Sequence, residues 1–229
     1  MKKNKMMRIA SVLLVAVILT TCAISGTFAK YTTAAPEASD NARVAKWGVT
    51  VTATAGDLFS DSYKDTKTTY TANETVDTIT VQADTPNVDI FAPGTEGSVA
   101  DAIKVTGKPE VDVTVDYSAT VSFTGWTLAD SSFYCPLVFT INGTDIKQDT
   151  TIDTADKFAA AIKNAIEGLS ADYHTNTDLA SQANNTVAIS WKWVFEGENE
   201  KDTYLGDQAA LGNASTVSIK YSASATQID

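Results

Sequence analysis

The sequence predicts an all-β protein: an antiparallel β-sandwich with one inserted amphipathic helix. Apolar residues alternate with polar ones in several separate segments, most clearly from Val111 to Phe123. A single stretch, Asp153 to Leu169, changes to helical spacing. No internal repeat and no linker interrupts the chain after residue 43, so the strands read as one domain over 44–229.

Taken in order, Met1 to Ala29 has the three parts of a secretory signal. Lys2, Lys3, Lys5 and Arg8 form a positive start, Ile9 to Ile24 is apolar, and Thr27-Phe28-Ala29 offers the small residues a signal peptidase reads. Cleavage is expected between Ala29 and Lys30. The apolar run is short for a membrane span, which needs roughly 20 residues, and no later run is apolar enough to replace it. Leu19-Thr20-Thr21-Cys22 is a poor lipobox, because Thr21 is larger than the usual residue before a lipidated cysteine. Lys30 to Arg43 is polar and contains Pro36, the composition of a flexible arm.

The folded body is expected to begin at Trp47, where Trp47, Val49, Val51 and Ala53 alternate with polar or small residues. Gly56 to Asn73 reads as a loop, and Ile79, Val81 and Ala83 as a strand. Asp84 to Gly97 contains two Pro and two Gly and must turn. Val111 to Phe123 is long for a strand, which predicts a bend or bulge inside it. Phe133, Cys135, Leu137, Phe139 and Ile141 alternate up to Asn142-Gly143, a tight-turn pair, while Pro136 favours an edge or a strand start. Behind Asp153 or Thr154 as cap, Phe158, Ala161, Ile162, Ala165, Ile166 and Leu169 predict a helix over 154–169, lying against the outside or end of a sheet. Val187 to Phe195 and Val217 to Ala225 alternate again, with a short helix expected near 203–211 between them.

Charge narrows the function classes. The loss of four basic residues with the leader leaves 13 Lys and Arg against 28 Asp and Glu, a net charge of −15 over the remaining 200 residues. Nucleic acid and anionic membranes are poor partners for such a surface. A soluble exported protein, or one that meets divalent cations, suits it better. Cys135 is then the only cysteine, so no internal disulfide forms.

Candidate chemistry is sparse. His174 is the single histidine, so a His-based zinc protease site has too few ligands, and the residue reads as part of a surface loop. Cys135 lies on an apolar strand face, as a buried small hydrophobe does. Glu196, Glu198, Glu200 and Asp202 alternate in an acidic run, a pattern that can offer oxygen ligands to Ca²⁺ but matches no standard loop; a solvated turn is the plainer reading. Trp126, Trp191 and Trp193 would suit a sugar-stacking surface if exposed, which motivates a carbohydrate-binding or adhesive module as the second function class. No pair of carboxylates stands out for a hydrolase, and neither a catalytic residue nor a cofactor site is assigned. Asn-x-Ser/Thr triplets at Asn73, Asn142, Asn184 and Asn213 would matter only in a eukaryotic secretory pathway.

The segments GTFAKYT and DNARVAKWGVTV resemble the N-terminal signature of exported Gram-positive proteins of the TasA and camelysin group, processed by the ER-type signal peptidase SipW. FAPGTEG, YHTNTDLA and ISWKWVFEGENEKDTYLG extend the resemblance in patches over most of the chain. What it implies is a jelly-roll-like subunit of a biofilm-matrix fibre or surface layer, self-assembling by passing an N-terminal strand to the next subunit, extracellular and free of the membrane after cleavage. The metalloprotease activity described for camelysin has no motif here.

Overall fold

Alternating strands from both halves of the chain pair into antiparallel sheets around one apolar interior. A computed structural model describes residues 42–54, 58–67, 78–195 and 197–228. The signal, the Ala29-Lys30 processing point, Cys22, the arm as far as residue 41 and parts of the expected loop over 56–73 lie outside the described residues. The strands are β1 (Val49–Ala53), β2 (Ser62–Lys67), β3 (Thr78–Gln82), β4 (Glu96–Gly107), β5 (Val113–Thr124), β6 (Leu137–Ile141), β7 (Thr144–Ile146), β8 (Ala171–Tyr173), β9 (Thr186–Trp193) and β10 (Thr216–Gln227). Helix α1 (Ala155–Glu167) precedes β8, a 3-10 turn (Leu179–Ser181) precedes β9, and helix α2 (Asn199–Ala210) precedes β10.

A five-stranded sheet runs β1-β4-β9-β6-β7, a three-stranded sheet β10-β5-β8, and β2 with β3 forms a separate ribbon. The odd-numbered residues of β5 and β9 turn inward: Val113, Val115, Tyr117, Ala119 and Phe123 from one sheet, Val187, Ile189, Trp191 and Trp193 from the other. This is the all-β sandwich that the alternation predicts.

The helix over 154–169 forms as Ala155–Glu167, with Thr154 as cap. Thr154 is in extended backbone and its Oγ1 accepts a hydrogen bond from Lys157 N at 3.2 Å, satisfying one of the free N–H groups of the first turn. The helix does not merely lie against one sheet. Its apolar stripe, Phe158, Ile162 and Ile166, is fully buried, and the Phe158 ring sits 4.8 Å from Phe123 of β5 and 6.1 Å from Phe139 of β6. One side chain therefore joins the two sheets.

Five expectations are corrected. The stretch 56–73 is not a loop throughout: Ser62–Lys67 forms β2, polar residues held by main-chain pairing with β3, which no apolar alternation announces. Trp47 is not part of the first inward face: Gly48 takes φ +58, which breaks the alternation, and Trp47 is 40% exposed. No bulge interrupts β5, whose twelve residues pair in continuous register with β10 from Thr124 with Thr216 to Val113 with Gln227. The irregularity falls in β4, where the pairing with β9 shifts between Val99 and Ile103. That shift places Ala102 and Ile103 inward together, so the period of two is lost and the longest strand of the larger sheet leaves no alternating signal. Phe133 and Cys135 precede β6, which starts at Leu137 directly after Pro136, a residue without an N–H to give the ladder. Phe195 likewise falls past the end of β9.

Two glycines permit close crossings. A Cβ on Gly107, at φ +125, would lie 1.9 Å from Gly48 O, where β1 and β4 meet. On Gly97 it would lie 2.3 Å from Leu58 O and 2.7 Å from Trp191 Nε1, the two atoms that share a hydrogen bond across it.

Phe158→Ala is expected to lower the unfolding free energy by about 3–5 kcal/mol, as for other buried aromatics, while Thr154→Ala costs about 1 kcal/mol; urea titration followed by tryptophan fluorescence measures both. Gly97→Ala should cost about 1–3 kcal/mol, the usual penalty for added volume in a filled interior, and shift the emission of the Trp191 environment.

Candidate functional site

The residues singled out by sequence disperse. His174 is fully solvated, its Nδ1 3.6 Å from Asp112 Oδ2, as expected of a surface loop. Cys135 is buried, its N–H donates to Gln148 Oε1 at 2.7 Å, and burial pushes its thiol far above the usual cysteine range. That keeps it protonated and unreactive. Trp126, Trp191 and Trp193 are buried, at 1%, 2% and 5% exposure, and offer no platform for a sugar ring. The observation behind the carbohydrate-binding reading is thereby removed.

The acidic run divides. Glu198 and Glu200 point to solvent, Glu198 pairing with Lys201 at 3.4 Å, and Glu196 lies outside the described residues. Asp202 turns inward and is 8% exposed. Among the described residues no three carboxylate, histidine or cysteine side chains gather where they could hold a metal ion.

What does gather is a cavity at one end of the sandwich, about 460 Å³ in volume, between the segment 88–93, helix α2 and the start of β10. Phe59, Phe91, Trp193, Leu205 and Val217 give it an apolar wall, and Asp202 contributes a carboxyl. Local chemistry builds this end. Thr95, 1% exposed, closes the Ala92-Pro93-Gly94 turn: its Oγ1 donates to Ala92 O at 2.7 Å and accepts from Ala92 N at 3.0 Å. Gly94 N donates to Trp193 O at 2.8 Å and Trp193 N to Thr95 O at 2.9 Å, clamping the turn to the end of β9. Phe91 is thereby stacked on Trp126 at 5.4 Å and held 6.1 Å from Trp193.

The three buried indoles are not equally satisfied. Trp126 Nε1 donates to Thr216 O at 2.9 Å and Trp191 Nε1 to Leu58 O at 2.7 Å. Trp193 Nε1 has no hydrogen-bond partner, and neither has Asp202 Oδ2. The other carboxylate oxygen, Asp202 Oδ1, accepts from Tyr134 Oη at 2.7 Å. Burial raises the carboxyl above the usual Asp range; Tyr134 and the nearby Trp193 N–H ease the shift and Glu198 adds to it. Trp193 Nε1 and Asp202 Oδ2, neither in a regular hydrogen bond, therefore lie against one another. Burial, with the bond to Asp202, pushes the Tyr134 phenol far up as well.

Asp202 escaped the sequence reading because α2 begins at Asn199, ahead of the expected 203–211, without a side-chain cap to announce it. From that start, Asp202 and Leu205 share one helix face, and both are buried.

The second feature is an edge. Among the described residues β10 has one ladder partner, β5, along twelve residues. Its outward side chains are small and polar, Ser218, Ser222, Ser224 and Thr226, with Lys220 as the single charge. β1 lies beside it as the edge of the other sheet, without a ladder between them; Tyr221 Oη donates to Thr54 O. Among the described residues no helix is long and apolar enough to cross a membrane.

Comparison with family models, with curated proteins and with solved structures finds no match to this chain.

A carboxyl whose pKa is raised by folding binds its proton more tightly in the folded state, so its contribution is fully present below the ordinary Asp pKa and lost as pH rises through the raised one. Wild-type stability is therefore expected to fall across that acidic window relative to Asp202→Asn, which lacks the titrating group, as read from urea midpoints against pH.

Proposed function

We propose that this chain is a secreted structural subunit of an extracellular fibre or surface layer, joined to its neighbours by an N-terminal donor strand. The observation that carries the reading is the outer edge of β10. Among the described residues this long strand is paired on one side, which leaves N–H and C=O groups for an added strand, and the main-chain bonds so gained do not depend on a strongly apolar sequence. Lys30 to Arg43 spans 14 residues, about 46 Å at about 3.3 Å each, against about 40 Å for the 12 residues of β10. Cleavage at Ala29-Lys30 by a SipW-type peptidase would free that arm outside the cell, and before cleavage the tether prevents it from reaching a neighbour. The resemblance of the leader and arm to the TasA and camelysin group points the same way. Placement in the matrix, self-assembly and independence from the membrane follow from this reading, and no enzymatic step is part of it.

Electron microscopy of protein starting at Lys30 is expected to show filaments, and protein starting at Val44 to remain a folded monomer; filaments unchanged in the shorter form would overturn the proposal. A synthetic peptide of Lys30 to Arg43 should cap growth when added in excess. Because a net charge near −15 opposes packing of subunits, assembly followed by light scattering should be faster in about 0.15 M salt, where the Debye length is about 8 Å, than in about 0.01 M, where it is about 30 Å.

A further inference from the structure

We propose that α2 is a hinged lid over the end of the sandwich, a segment that undocks and melts as one unit while both sheets stay folded, uncovering the apolar wall of Phe91, Trp193 and Val217. The inference is independent of the assembly reading, since it concerns the sandwich end and not an edge.

α2 is a weak helix by itself. It has 12 residues, a length at which an isolated helix is marginal in water; it starts without a side-chain cap and carries Gly206 in its interior. It is also weakly held. α1 buries Phe158, Ile162 and Ile166 and packs closely on β5, whereas α2 buries only Leu205 and Asp202 and has no comparably close neighbour among the described strands and helices. Beneath it lies the cavity of about 460 Å³ in place of interlocking side chains. A Cβ added at Gly206, which lines that cavity, would meet nothing within 4 Å. A void deprives its lining of contacts that a filled interior would supply.

The flanks, by contrast, are pinned. Before α2, Trp193 shares two main-chain bonds with the 94–95 turn, Gly94 N to Trp193 O at 2.8 Å and Trp193 N to Thr95 O at 2.9 Å. After it, Ser215 Oγ donates to Gly125 O at 2.8 Å and Trp126 Nε1 to Thr216 O at 2.9 Å. The movable piece therefore lies between Trp193 and Ser215. Gly197 and Gly212, the latter at φ +85, flank the helix inside it, where the backbone can turn with no side chain to repack. The latch is polar: Asp202 Oδ1 accepts from Tyr134 Oη at 2.7 Å, and Lys201 Nζ lies over the same ring, 5.2 Å from its centroid. Tyr134 precedes β6 and stays with the sandwich, so these contacts tie lid to body.

The test is native-state hydrogen exchange of backbone amides in the purified full chain, followed by NMR. The amides of residues 203–210 are expected to share one opening constant, at least about a hundred-fold larger than that of β5 and β9. Variants separate local opening from unfolding of the whole. Thr154→Ala, at the cap of α1, should speed exchange in β5 and β9 about five-fold and leave 203–210 unchanged. Tyr134→Phe removes the latch donor while keeping the ring, and should speed 203–210 about ten-fold or more. Gly206→Ala, which has room for its methyl group, should slow them about five-fold and serves if the Tyr134 variant does not fold. Exchange of 203–210 at the rate of β5, or its acceleration by Thr154→Ala, would mean that α2 unfolds only with the whole and would overturn the inference. So would exchange graded inward from the helix ends and indifferent to Tyr134→Phe and Gly206→Ala, which is the fraying of an ordinary surface helix.

Discussion

Ring contacts pass without a break from Tyr63 through Trp191, Phe59, Phe91, Trp126, Phe123 and Phe158 to Phe133, with neighbouring centroids 4.8–6.3 Å apart. This column touches the β2–β3 ribbon, both sheets and α1. Each such ring removes some 150–250 Å² from water, and favourable pair geometry adds about 0.5–1.5 kcal/mol. Among the described residues the surface pairs Lys104 with Asp101, Lys157 with Asp153, Lys163 with Glu167 and Lys201 with Glu198 are all about one-third exposed or more. Such pairs contribute about 0–1 kcal/mol each. With no disulfide to constrain the unfolded chain, the aromatic column is the main support of the fold.

Rings of this kind carry polar edges, and the fold is arranged to satisfy them. Leu58 O and Thr216 O are the answers to Trp191 and Trp126, and each ties a distant segment to the core: the residues before β2 in one case, the start of β10 in the other. Gly97 is needed because the first of these bonds passes over its Cα. Trp193 is the exception. Its N–H reaches no carbonyl and lies against the buried Asp202 carboxyl instead.

The end of the sandwich under α2 holds a largely apolar cavity of about 460 Å³. Among the described residues β10 presents a long backbone edge with small outward side chains, a surface suited to main-chain recognition. Lys220 is the single charge on β10, a light guard for so long a strand, and the negative charge of the whole body opposes indiscriminate pairing. The proposed release of an arm by proteolysis would suit such a surface, because it would delay strand addition until after export.

Composition and alternation alone determined the all-β class, the inward faces of β5, β9 and β10, the helix behind Asp153 or Thr154 and the burial of the strand tryptophans, because each depends on periodicity or on neighbours close in sequence. The leader and arm belong wholly to that reading, outside the described residues. Only the tertiary structure decided the rest. β4 was illegible because its bulge cancels the period of two, and Trp47 was misplaced because Gly48 at φ +58 turns it out. Asp202 looked like one carboxylate of a solvated run. Its inward turn depends on where α2 begins and on Tyr134, 68 residues away in sequence, and no local pattern encodes a partner at that distance.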